Sequence, residues 1–91
     1  MFNLIRVLEC GNKFLFCNGK EDFLVASYST VFERPECLLF KSNNQGEVSD
    51  WIELYGSKFN SETPMNEAVF TVVREYNNTL ANNNYNGAWA Q

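Results

Sequence analysis

Asp50 and Glu53 are close enough in this 91-residue chain to form a pair of acid–base carboxylates, and Cys10, Cys17 and Cys37 supply three thiols. Neither group reads as a catalytic centre. On a strand, residues three apart face opposite sides of the sheet, so the two carboxylates belong to a solvated surface rather than to one reacting bond. The cysteines lack the C-x-x-C spacing of a metal knuckle, and the chain has no histidine, so a zinc site would need carboxylates beside three isolated thiols. They read as reduced cysteines buried as small apolar residues. No Gly-rich phosphate loop follows a strand, and no nucleophile elbow is present. The expectation is therefore a protein that is not an enzyme, with no catalytic residue, metal or cofactor. Asn77-Asn78-Thr79 matches a glycosylation sequon, which has no consequence without a secretory route.

What remains is aromatic side chain that a core does not obviously need. Trp51, Tyr55 and Phe59 lie close in sequence, Phe70 falls off the apolar stripe of a helix, and Tyr85 and Trp89 punctuate a polar terminus. Such residues dominate protein interfaces because they bury much area with few rotors. These six are the candidate protein-binding residues. For Trp51 the competing expectation, packing under the helix or on the second face of the sheet, is the favoured one.

The elements that must position them follow from periodicity. Residues 2–8, 13–17 and 23–29 read as three strands, the second and third joined by Asn18-Gly19, which suits a tight type I′ turn, with Lys20, Glu21 and Asp22 able to lengthen it. Arg34-Pro35 takes the chain out of the sheet. The segment 37–55 then reads as a hairpin around the turn formers Ser42 to Gly46. In its second strand Val48, Ile52 and Leu54 point one way and Ser49, Trp51, Glu53 and Tyr55 the other, with Asp50 a fault on the apolar side. A short helix capped by Asp50 is the competitor, cut off by Gly56. Beyond a polar loop, Thr63 as N-cap and Pro64 at the first helical position start a helix. Its stripe is Met65, Ala68, Val69, Val72, Val73 and Tyr76, and Asn77-Asn78 ends it. The fold class is α+β: a small antiparallel sheet of four to five strands with one C-terminal helix packed on a face. Residues 1–80 form the single domain, and 81–91 an Asn-rich, mobile tail.

Composition narrows the partners. Apolar residues make up 45% of the chain and aromatics 15%, enough for a folded core, though a thin one at this length. A net charge of −4 argues against direct nucleic-acid binding, which needs a basic surface. No apolar run approaches the roughly 20 residues of a membrane span, and residues 1–9 lack the build of a signal peptide, so a cytoplasmic location is expected.

The run Gly46-Glu47-Val48-Ser49-Asp50-Trp51-Ile52-Glu53-Leu54, followed by Tyr55, Phe59 and a helix near Pro64, resembles a pattern in small uncharacterised bacteriophage early-type proteins. There, short strands precede a G-x-V-x-x-W-x-E-L segment and a closing helix. The likeness spans the second half of the chain up to the tail and carries no assigned site. It implies a small inhibitor or modulator of a host protein or defence system, of the anti-CRISPR or anti-restriction type, acting in the host cytoplasm. The rival expectations are a self-assembling structural subunit, a homo-oligomer, and then a small-ligand or nucleotide-binding module.

Overall fold

The computed structural model describes residues 1–8, 11–30 and 34–86, the last four by their backbone alone. Five strands, β1 (Asn3–Val7), β2 (Lys13–Cys17), β3 (Phe23–Ser29), β4 (Glu36–Ser42) and β5 (Val48–Lys58), precede one helix, α1 (Met65–Asn86). The strands pair with their sequence neighbours in the order β1-β2-β3-β4-β5, an antiparallel meander with β1 and β5 at its edges. The fold is α+β, as the change from a period of two to 3.6 predicts.

One face of the sheet presents Phe14, Phe16, Leu24, Ala26, Cys37 and Leu39 to Val69, Val72 and Val73 of α1, all buried in one cluster. Each such side chain removed from water stabilises the fold by about 1.5–3 kcal/mol. The predicted stripe is the face that packs. Ala68 is buried as well, and Met65 and Tyr76 are half-buried at the ends of the stripe. The start of the helix differs in one detail. Thr63 does not cap it, since its hydroxyl bonds Asn60 Oδ1 (3.1 Å), and the first helical bond runs from Ala68 N–H to the Pro64 carbonyl (3.0 Å).

The helix also does not stop at Asn77-Asn78 but runs on to Asn86. Asparagine ends helices by bonding its own backbone. The Asn77 side chain is committed elsewhere: its Oδ1 accepts from Phe2 N–H (2.9 Å) and its Nδ2 donates to the Phe2 carbonyl (3.3 Å). At 22 residues α1 is about 33 Å long. Residues 81–86, read from sequence as tail, continue the helix.

The second face has no helix on it, yet Leu15 and Val25 are fully buried and Phe40 nearly so. They stand in cross-strand register on β2, β3 and β4. The sheet curls over them until two diagonal corners meet. The Arg6 guanidinium donates to the Gln45 carbonyl (3.1 Å), and Leu8 lies against Gly46, where a Cβ would come within 2.9 Å of it. Gly46 also has φ +88°, so the β4–β5 turn needs glycine on two counts.

The β2–β3 connection is not the two-residue type I′ turn. It spans Asn18 to Asp22, closed by Asn18 N–H on the Asp22 carbonyl (3.3 Å), with Gly19 in the left-handed region. Asn18 braces it through its side chain, accepting from Lys20 N–H (2.9 Å) and donating to Asp22 Oδ2 (3.0 Å).

Burial pushes the Cys37 thiol up to about 12 from 9.0. The Tyr55 phenol is raised from 10.0 by burial and by Glu75, and that of Tyr76 by burial and by Asp22. In the unfolded chain these groups ionise near 9–10 while the folded protein keeps their protons. The unfolded state therefore binds fewer protons, and stability falls as pH rises above 9. A melting temperature that declines steadily from pH 8.5 to 11 is expected. A flat profile by circular dichroism would place these groups in water.

Candidate functional site

The pairing of β4 with β5 is regular from Glu36↔Lys58 to Leu39↔Tyr55 and then breaks twice. Phe40 pairs with Glu53, which leaves Leu54 as an extra residue. Between Phe40↔Glu53 and Ser42↔Val48, residues 49–52 of β5 stand opposite Lys41 alone. A surplus of this size cannot stay in the ladder, so the strand bows outward. Asp50 Oδ1 accepts the Ile52 N–H (3.1 Å) and so replaces a ladder bond inside the bow.

The base of the bulge is held from below. Asn43 Oδ1 accepts from the N–H groups of Gln45 (2.9 Å) and Glu47 (3.0 Å), and its Nδ2 donates to Glu47 Oε1 (2.9 Å). Two backbone bonds, Asn43 N–H to the Glu47 carbonyl (3.0 Å) and Gly46 N–H to the Asn43 carbonyl (3.1 Å), close the turn. On this base Trp51 is 70% exposed and Ile52 69%. Trp51 meets the second face through an edge-to-face contact with Phe40, at 5.2 Å between centroids. The expectation that it packs away is replaced by a ring resting on the rim of the sheet, because the bulge carries it past the ladder. Asp50 is here a partner of the backbone. Glu47, Asp50 and Glu53 make the surround of the bulge acidic.

The other predicted residues are not gathered there. Tyr55 and Phe59 are half-buried against the core, and the Tyr55 hydroxyl donates to Glu75 Oε1 (3.2 Å). Phe70 lies on the far side of the molecule, 45% exposed, its ring edge-to-face with Phe16 at 6.0 Å. It overlooks a groove between α1 and β1 lined by Leu4, Phe16 and Val73. Tyr85 and Trp89 lie outside the residues whose side chains are described, as does Cys10. Sequence reasoning placed β1 but not its exposure: all five of its residues are exposed, Ile5 and Val7 among them, with Ile5 the extra residue of a second edge bulge. Its apolar composition reads the same as that of a core strand.

Cys37 is a poor nucleophile, since burial keeps its thiol protonated. Among the described residues no cluster of three or more His, Cys, Asp or Glu could hold a metal ion. No helix among them is long and apolar enough to cross a membrane. No protein-family model, curated protein or solved structure matches the chain.

Proposed function

We propose that the protein is a non-enzymatic protein-binding module that presents the β5 bulge to its partner. The observation that carries this is an exposed Trp51–Ile52 pair on a hydrogen-bonded base. A large apolar pair in water is costly unless something covers it, and a braced backbone avoids the ordering entropy that weakens flexible binding loops. The G-x-V-x-x-W-x-E-L resemblance falls on this same segment. It supports the narrower reading of a phage-type modulator of a host protein or defence system.

The test compares the wild type with Trp51→Ala and Phe70→Ala in affinity capture from host extract, followed by titration against the retained protein. Trp51→Ala is expected to weaken binding by about 2–4 kcal/mol while moving folding stability by only about 0.5 kcal/mol. Undiminished affinity in that variant would remove the bulge from the interface, and loss in Phe70→Ala alone would move the site to the β1–α1 groove.

A self-assembling subunit is the second reading, favoured by the exposure of Leu4, Ile5 and Val7 on the opposite edge strand. Both edges carry bulges, which oppose sheet extension between copies. Sedimentation at micromolar concentration decides it, a monomer excluding assembly.

A further inference from the structure

Lys41 is out of place in the row to which it belongs. Alternation along β4 puts Cys37, Leu39 and Lys41 on the helix-facing side, and Lys41 pairs across the sheet with the buried Leu24. It comes up beneath the C-terminal half of α1, where a cleft is lined by Lys41, Asp22, Tyr76, Phe23, Leu54 and Leu80.

Lys41 and Asp22 are exposed at the mouth of this cleft and Tyr76 is half-buried in it. Neither the Lys41 ammonium nor the Tyr76 hydroxyl has a hydrogen-bond or ion-pair partner among the described residues. Tilted ring contacts with Phe2 (6.1 Å) and Tyr55 (6.2 Å) hold the Tyr76 ring, and burial with the nearby Asp22 charge keeps its O–H protonated, hence a donor. Asp22 accepts at Oδ2 from Asn18 and keeps its second oxygen open. The apolar lining is only partly covered, with Leu54 39% exposed and Phe23 and Leu80 half-buried.

We propose that this cleft binds a small zwitterion with an apolar body, the chemical class of the free aromatic and branched-chain α-amino acids. The ligand carboxylate accepts from the Lys41 ammonium and the Tyr76 hydroxyl, its ammonium donates to Asp22, and its side chain covers Leu54, Leu80 and Phe23. One cation and one anion on the rim of the same cleft, both exposed, favour the zwitterion, because a plain acid or plain amine would pair with only one of them. The cleft opens on the helix-facing side of the sheet, and its proposed ligand does not rest on the proposed protein partner.

The experiment is calorimetric titration of the full chain with L-phenylalanine, L-leucine, 3-phenylpropionate and phenethylamine. At least one of the two amino acids is expected to bind saturably, with the acid and the amine each weaker by roughly tenfold or more. Lys41→Met and Asp22→Asn are each expected to weaken amino-acid binding by a similar factor, and Trp51→Ala to leave it unchanged. Melting curves of the unliganded variants confirm that the fold is kept. Absence of saturable binding of either amino acid at millimolar concentration overturns the proposal. So does equal or tighter binding of 3-phenylpropionate, or full affinity in both charge variants.

Discussion

Val72→Asp is expected to abolish the cooperative unfolding transition and leave the chain unfolded at room temperature. Val72 has no solvent exposure and sits in the cluster of Phe14, Phe16, Leu24 and Leu39 at the centre of the helix–sheet contact. No cation belongs to that cluster, so the carboxylate would either carry a desolvation penalty of several kcal/mol or take up a proton at comparable cost. A domain of this size has about 5–10 kcal/mol in all. The same charge at Arg74, on the exposed side of the same helix, should move the melting temperature little, which separates core burial from any general effect of acid on α1. Far-UV circular dichroism and a thermal melt of both variants provide the check. A folded Val72→Asp with an unchanged melting temperature would mean that α1 does not pack through this stripe.

That stripe was legible because its signal is redundant. Six apolar residues recur at helical spacing, and each of them is buried or half-buried in the helix–sheet contact. The strands β2 and β3 were equally plain, since alternating large residues were bounded by Asn, Gly and charged positions. Legibility failed where one side chain settled the matter at long range. Asn77 reads locally as a helix stop, and only its bonds to Phe2, 75 residues away in sequence, free the helix to continue. Asn18-Gly19 reads as a two-residue turn, whereas the Asn18 side chain braces a longer one.

The candidate site was half visible. Asp50 interrupts the alternation of β5, and that interruption is the local trace of the bulge, since its carboxylate takes the Ile52 N–H that a regular strand would have given to the ladder. The length of the bulge was not visible. It follows from the register between β4 and β5, and register is a property of two strands together. Strict alternation therefore kept Trp51 and Glu53 together, as their shared neighbour Phe40 has them, but misassigned Val48, which pairs with Ser42, and Tyr55, which packs on the helix side. The cleft at Lys41 was invisible for a related reason: only the register of β3 with β4 sets this exposed lysine opposite Leu24.

Gly56→Ala tests the regular half of the same strand pair. Gly56 pairs with Leu38, and a Cβ there would lie 2.5 Å from Leu38 Cδ2, 2.9 Å from Glu53 Oε2 and 3.3 Å from the Cys37 carbonyl oxygen. The strain is steric and not conformational, as Gly56 is not among the glycines with positive φ. Glycine is kept because the Leu38 side chain crosses the place where its own would be. Leu38 can swing aside only by giving up its half-buried position, and the carbonyl cannot move without disturbing the β4–β5 ladder. The expected cost is about 1–3 kcal/mol, or a melting temperature lower by roughly 5–20 °C. The cause can be isolated with a double-mutant cycle. Leu38→Ala alone loses apolar burial and is destabilising. In the Gly56→Ala background the same truncation also removes the clash, so the double variant should lose clearly less than the sum of the two singles. Simple additivity would locate the strain at the Cys37 carbonyl and in the backbone of β4 instead, and an unchanged melting temperature for Gly56→Ala would show that the two strands do not approach this closely in solution.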